Sequence, residues 1–246
     1  MEPLLVKEFQ VSPVATDRYG RLKPSQMLGY LQEISGDHSN ILGLGQNQLT
    51  ERNLIWVVIR HRVQITRLPA TGEKLRLETW PLPTTRTAYP RSTIAYDEKG
   101  EECFRSISLW ALLDSNSRAL VLPKNSGVNI QGLLRGCELQ VPSSMLPREM
   151  GECDRRIVRY SDLDINGHMN NCRYLDWVMD LLPSEFYRTH EPQEITLCYM
   201  SEIREKEELQ MHWELSDGPV LTVEAVRQED KDVHGNSRIF SAKIGF

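Results

Sequence analysis

One order of predicted elements occurs twice in these 246 residues: a strand, one amphipathic helix and then several antiparallel strands. In the first copy, Phe9–Val14 predicts a short strand, and Pro24 stands where a first helical residue is favoured. Apolar residues then recur at helical spacing and predict a helix that ends near Gly36. Alternation over 54–113 predicts the strands that follow, so this half fits a sheet wrapped around a single helix.

The second half repeats this order. Arg155–Tyr160 predicts a strand, and a helical run through Leu182 stops at Pro183. Further strands are predicted at 195–200, 209–215, 220–227 and 238–246, the last two joined through His234, Gly235 and Asn236. We therefore expect an α+β fold built by internal duplication. The two sheets are expected to pair edge to edge, so that one chain supplies what is otherwise a dimer; further pairing into a homodimer is left open.

A stretch rich in proline, glycine and serine separates the two copies. Such a composition is typical of a connection between domains. We expect an N-terminal domain over 1–125, a linker over 126–152 and a C-terminal domain over 153–246.

The loop of the second copy carries the residues best suited to chemistry. Asp164, Asn166 and His168 alternate along it, and Asn170 or Asn171 can cap the helix that follows. An acid, an amide and an imidazole would then lie beside a helix N-terminus, which suits an oxyanion that develops during acyl transfer. The alternative is a polar turn and cap without chemistry.

The two copies are not equivalent in these residues. At the positions that correspond to the acid, the amide and the imidazole, the first copy is expected to have about Gly20, Leu22 and Pro24. One half would therefore catalyse, and the other would shape a pocket.

Three further candidates have ordinary structural alternatives. Glu202 follows a predicted strand and could help to hold a water, although 202–208 also resembles a solvated hairpin. Cys172 could act as a nucleophile, but it falls on the apolar face of the helix, which favours core packing. Asp37–His38 is expected to be a solvated or locally bonded polar pair at a helix end.

Composition excludes several classes of function. A net charge of −5 argues against a nucleic acid partner, and no apolar run is long enough to span a membrane. The five cysteines are scattered, and no pair of histidines has metal-ligand spacing, so we predict neither a metal nor a cofactor. The N-terminal residues lack a basic segment leading into an apolar one, which favours a cytoplasmic location.

The sequence resembles the acyl-acyl carrier protein thioesterases, a family of tandem hotdog domains, through essentially its whole length. The segments that carry the resemblance are Leu31-Gln32-Glu33, Leu54-Ile55-Trp56-Val57, Glu78-Thr79-Trp80, and Asp162-Leu163-Asp164-Ile165-Asn166 with His168 and Asn170-Asn171. The last block is specific, whereas the others are weak singly.

The resemblance implies a double hotdog fold, each unit having one long central helix, and hydrolysis of fatty acyl-acyl carrier protein to free fatty acid, which ends chain elongation. By that resemblance Asp164, Asn166 and His168 are catalytic, and Tyr199-Met200-Ser201-Glu202 is similar to the segment that supplies a catalytic glutamate. The next residue is Ile203, where plant members have a cysteine, which favours attack by water.

The expected partner is an acyl carrier protein, contacted by some of the arginines near the site: Arg155, Arg156, Arg159, Arg173 and Arg204. Two alternatives stay open. One is a hotdog enzyme that acts on acyl-CoA, and the other is an acyl-binding sensor on the same fold without catalysis. Which carboxylate is the base and which orients the imidazole is also open.

Overall fold

The computed structural model describes residues 3–227 and 238–246. It divides into two compact units, Met1–Pro142 and Ser143–Phe246. The predicted connection at His234, Gly235 and Asn236 lies outside the described residues. Among the described residues, no helix is long and apolar enough to span a membrane.

The first unit contains one long helix and five main strands. Its elements are β1 (Leu5–Gln10), α1 (Pro24–Ile41), α2 (Gln46–Thr50), β2 (Leu54–Ile65), β3 (Lys74–Pro81), β4 (Tyr89–Tyr96), β5 (Glu102–Asp114), β6 (Leu120–Val121) and α3 (Pro123–Ser126). All strand pairs are antiparallel, in the order β1, β3, β4, β5, β2, with β6 added to β5. The helix α1 contacts β1 and β3.

The second unit has the same topology. Its elements are β7 (Glu152–Ile157), α4 (Arg173–Met179), β8 (Glu194–Tyr199), β9 (Glu208–Ser216), β10 (Val220–Arg227) and β11 (Arg238–Gly245). The strands pair antiparallel in the order β7, β9, β10, β11, β8. In both units the first strand is therefore followed in the sheet by the third, fourth, fifth and second, as internal duplication requires.

The helix of the first unit is longer than its apolar pattern predicts. Met27, Leu31 and Ile34 bury one face of α1, but the helix continues past Gly36 to Ile41. A glycine weakens a helix without ending it when tertiary contacts continue beyond it. The helix of the second unit is shorter than predicted, because α4 ends at Met179 rather than Leu182.

The extension of α1 is explained by His38, which was expected to be part of a solvated or locally bonded polar pair at the helix end and is buried within the helix instead. Its Nδ1 lies 2.9 Å from Nη1 of Arg91, whose guanidinium also donates to Thr79 Oγ1 at 3.3 Å. Burial lowers the pKa of Arg91 to about 10. Asp37 forms an ion pair with Lys7 at 2.6 Å, so the expectation of a polar pair beyond the helix end is wrong for both residues.

The first strand was also misplaced, because it runs from Leu5 to Gln10 rather than from Phe9 to Val14. Pro13 begins a short 3-10 turn that ends the extended backbone. The proline lacks a backbone N–H, so it could not have continued the pairing with β3.

The stretch predicted as a linker is packed rather than free. Within 127–151, all of which the structure describes, no helix or strand forms. Leu133 and Leu139 pack against a buried cluster around Trp80, and Arg135 donates to Glu78 at 2.7 Å. The predicted domain bounds of 1–125 and 153–246, with a linker over 126–152, stay a prediction.

Candidate active site

The loop over 163–169, here called the site loop, is shaped by Asp164. Its Oδ1 accepts the backbone N–H of Asn166 at 2.8 Å and that of His168 at 3.2 Å. Gly167 has φ +75°, a backbone conformation that favours glycine. Leu163 and Met169 then pair as an isolated β-bridge, so this short sequence closes on itself.

A second segment, 201–207, lies against the site loop and is here called the Glu202 segment. Met169 donates its N–H to the carbonyl of Ile203 at 2.9 Å, and His168 forms a β-bridge with Arg204. These contacts bring Nε2 of His168 to 3.5 Å from Oε2 of Glu202. The sequence separates these two residues widely, so the pair is formed by tertiary structure.

Both side chains of the His168–Glu202 pair are partly exposed to solvent. The His168 side chain is 17% exposed and that of Glu202 is 40% exposed. An imidazole near a carboxylate, with access for water and substrate, can act as a general base.

The other two predicted site residues bond to each other rather than to the imidazole. Asn166 is exposed, and its Nδ2 lies 3.5 Å from Oδ2 of Asp164. Asp164 accepts backbone N–H groups of the site loop through Oδ1 and the side-chain amide of Asn166 through Oδ2. Asp164 thus holds the backbone of His168 in place, and Glu202 faces its ring.

The helix N-terminus expected beside the loop does not offer the N–H groups of residues 168–170 to an oxyanion. The N–H of His168 donates to Asp164, that of Met169 to Ile203, and that of Asn170 to the carbonyl of Asp162. The helix α4 begins only at Arg173, and its seven residues make a weak macrodipole.

Asn170 accepts backbone N–H groups at the start of α4. Its Oδ1 accepts the N–H of Cys172 at 2.9 Å, and its carbonyl accepts the N–H of Arg173 at 2.9 Å. The side chain of Asn171 has no such bond among the described residues, but its carbonyl accepts the hydroxyl of Tyr199 at 2.9 Å. Burial raises the pKa of Tyr199 well above its ordinary value, so this phenol stays protonated and donates.

Cys172 is half-buried, and its thiol has low reactivity. Burial is the largest cause that raises the pKa of its thiol, to about 12. Since the thiolate is the reactive form, a thiol of this kind is a poor nucleophile near neutral pH.

The first unit contains the same loop with different side chains. Asp17 Oδ1 accepts the N–H groups of Tyr19 at 2.8 Å and Arg21 at 3.0 Å, and Gly20 has φ +76°. Thr16 and Leu22 form the matching β-bridge.

The predicted correspondence between the copies is therefore wrong by three residues. Asp17, Tyr19 and Arg21 match Asp164, Asn166 and His168, whereas Gly20, Leu22 and Pro24 do not. The two helices differ in length, with 18 residues in α1 and seven in α4, so the spacing from helix to loop differs between the copies.

This correspondence also explains why only one unit can form the pair. Leu22 donates its N–H to Pro69 as Met169 does to Ile203, so Leu68 occupies the position of Glu202. Leu68 is buried and apolar, and Arg21 bonds to Asp17 Oδ2 at 2.9 Å. At the positions of His168 and Glu202, the first unit therefore has neither an imidazole nor a carboxylate.

Sequence reasoning missed Arg227, at the end of β10. Its guanidinium donates to the backbone carbonyl of Glu202 and to the carboxylate of Glu207. No local pattern could have indicated this, because its partners are 20 or more residues away in sequence.

Three of the five arginines predicted to contact a carrier protein have carboxylate partners within their own unit. Arg155 lies 3.8 Å from Glu208, Arg156 lies 2.9 Å from Asp154, and Arg173 lies 2.9 Å from Asp176. Arg159 and Arg204 are exposed, and within the part of the chain that the structure describes neither forms an ion pair.

Comparison with known proteins agrees with the fold and the repeat. The acyl-ACP thioesterase N-terminal domain matches residues 4–124, and the acyl-ACP thioesterase C-terminal domain matches residues 148–241. An acyl-ACP thioesterase of Bacteroides thetaiotaomicron, solved by crystallography, is 26% identical, with a TM-score of 0.89 over 99% of this chain and 98% of that one. The two units have the hotdog fold of these proteins.

Curated plant proteins are similar over part of their length. The chloroplastic oleoyl-acyl carrier protein thioesterase 1 of Arabidopsis thaliana is 30% identical over 197 residues, which are 71% of this chain and 54% of that protein. The chloroplastic palmitoyl-acyl carrier protein thioesterase of Gossypium hirsutum is 28% identical over 206 residues, 78% of this chain and 50% of that protein. The chain thus spans about half the length of these relatives. With both family domains matched in order, this chain belongs to the acyl-acyl carrier protein thioesterase family.

Proposed function

We propose that this protein hydrolyses the thioester of a fatty acyl-acyl carrier protein to free fatty acid and carrier protein, which ends chain elongation. The observation that carries the proposal is the approach of His168 Nε2 to Glu202 Oε2 at 3.5 Å, in a chain that belongs to this family. The substrates named for the relatives include oleoyl-, palmitoyl- and dodecanoyl-acyl carrier protein, which supports a fatty acyl chain as the substrate.

In the proposed mechanism, His168 takes a proton from a water that attacks the thioester carbon. Glu202 faces the imidazole and stabilises the imidazolium that forms. Asp164 fixes the backbone of His168 through the site loop. Asn166 presents an exposed side-chain amide on the same loop, and we assign its N–H to the carbonyl oxygen as negative charge develops there.

The leaving group needs little assistance. A thiol has a pKa of about 8.5, so the thiolate can depart without a strong acid. The raised pKa of the Cys172 thiol favours attack by water rather than an acyl-cysteine intermediate.

The first unit is assigned to the acyl chain, and the second to catalysis. Leu68 and Arg21 replace the catalytic pair in the first unit, which supports a binding rather than a chemical role for it. The carrier protein is acidic in this family's setting, so Arg159 and Arg204 are the arginines most available to contact it.

The direct test is turnover of an acyl-carrier thioester with the released thiol trapped and measured. His168→Ala is expected to lower kcat about 100-fold or more, because a general base is lost. The matched control is His190→Ala in the same unit, which should keep kcat near the wild-type value. The centroid of the His190 ring lies 4.2 Å from that of Phe186, on which it stacks. A loss below threefold for the His168 variant would remove it from the mechanism.

The same assay separates the alternatives. Faster turnover of acyl-CoA than of the carrier thioester would favour the acyl-CoA enzyme. Tight acyl binding without thiol release would favour the sensor.

A further inference from the structure

We propose that Arg227 is a positioning residue that holds Glu202 at the distance from His168 that catalysis needs. The proposal rests on the function proposed above. The hydrogen bonds of Arg227 go to other groups than the imidazole of His168 and the carboxylate of Glu202. It acts through one backbone carbonyl and two side chains of the Glu202 segment.

The guanidinium of Arg227 bonds to three different residues of the Glu202 segment. Its Nη1 donates to Ser201 Oγ at 3.1 Å, its Nη2 donates to the carbonyl of Glu202, and its Nε donates to Glu207 Oε2 at 3.0 Å. The side chain is only 13% exposed. A planar guanidinium with several fixed donors can hold such a set, whereas a lysine ammonium presents a single point.

These bonds hold both ends of the segment that meets the site loop. Glu207 uses its other oxygen, Oε1, to accept the N–H of Arg204 at 3.2 Å. Between the two ends, Ile203 accepts the N–H of Met169 at 2.9 Å. Arg227 is thereby connected to the backbone beside His168 through ordinary hydrogen bonds.

The first unit shows that this arrangement is particular to the catalytic copy. There Glu73 Oε1 accepts the N–H of Ala70 at 2.9 Å, as Glu207 does for Arg204. The cation that pairs with Glu73, however, is Arg67, which precedes Leu68 in the chain. Its Nη2 donates to Glu73 Oε2 and to Asp97 Oδ2, both at 2.9 Å. The corresponding position before Glu202 is Ser201. In the second unit the cation comes from the strand β10 instead, and it reaches the carbonyl of Glu202.

The test compares Arg227→Lys and Arg227→Met with Arg67→Met, which removes the equivalent ion pair from the first unit. We expect kcat for the Arg227 variants to fall about 10-fold or more, with KM changed less than about twofold, since small displacements of a base are costly. Lysine should restore part of the loss seen with methionine.

Thermal unfolding of each variant identifies a general loss of structure. The proposal is overturned when both Arg227 variants keep the wild-type kcat, and also when Arg67→Met lowers kcat as much as they do.

A measurement without substrate keeps this inference separate from the proposed function. The ring signals of His168, recorded by NMR without substrate at one fixed pH, should move in Arg227→Lys relative to the wild type, because the carboxylate beside the ring is displaced, and should stay unchanged in Arg67→Met. Absence of thioester hydrolysis in the wild type would refute the function alone. Unchanged ring signals in Arg227→Lys would refute the positioning role alone.

Discussion

Asp164 and Asp17 accept the same two backbone hydrogen bonds in their units, although only Asp164 lies beside a histidine. This makes the first unit an internal control for the second. A carboxylate that organises a loop and one that takes part in chemistry are hard to separate by mutation, and the duplicated loop allows the separation.

At residue scale we expect Asp164→Ala and Asp17→Ala to destabilise the protein by similar amounts, about 1–3 kcal/mol, because each leaves backbone N–H groups without an acceptor. Only the Asp164 variant should lose most of its turnover. Urea unfolding and kcat measured on both variants check this. Equal activity in the two would show that Asp164 is structural only.

A second prediction at this scale concerns the thiols. Since burial raises the pKa of Cys172 to about 12, it should resist iodoacetamide at about pH 8 while the exposed Cys153 reacts. Mass spectrometry of the alkylated protein gives the sites. Cys172→Ser should keep kcat within about threefold, and a loss of two or more orders of magnitude would revive the nucleophile hypothesis.

At the scale of elements, the periodicity of the chain predicted which segments are helices and strands better than where they end. The helix α1 continues for five residues past Gly36 because buried contacts of His38 lie beyond the glycine. Such contacts join residues distant in sequence, so a local pattern cannot include them.

Gly36 offers a direct test of this explanation. It is exposed in mid-helix, and outside the neighbouring helix backbone an added Cβ would meet no atom within 4 Å. Gly36→Ala should therefore raise the free energy of unfolding by about 0.5–1 kcal/mol, since alanine has the higher helix propensity. Urea unfolding measures the change. A lower free energy of unfolding in this variant would contradict a continuous helix with open space for a side chain at Gly36.

At the scale of the whole molecule, the two units share one topology and differ in where polar groups are buried. The strand β2 of the first unit carries His61, which is buried on the sheet. Burial lowers its pKa to about 4 from 6.5, so the unfolded chain binds a proton more readily than the folded one. Its contribution to stability is present above pH 6.5 and is lost as pH falls towards 4.

We expect the free energy of unfolding to fall by about 2 kcal/mol from this residue between pH 7 and pH 5. His61→Gln should show a correspondingly smaller decrease over that interval, measured by urea unfolding at both values. An identical decrease in the variant and the wild type would assign the pH dependence to other groups.

The sequence by itself determined the duplicated α+β order, the family, and the identity of Asp164, Asn166 and His168 as loop residues, because periodicity, turn chemistry and a specific motif are local. Glu202 also followed from the resemblance. Only the tertiary structure decided that its carboxylate faces His168, that the backbone N–H groups of 168–170 are already bonded, and which residues of the first unit correspond to the site. Those outcomes depend on hydrogen bonds between segments far apart in the chain, which no local pattern encodes.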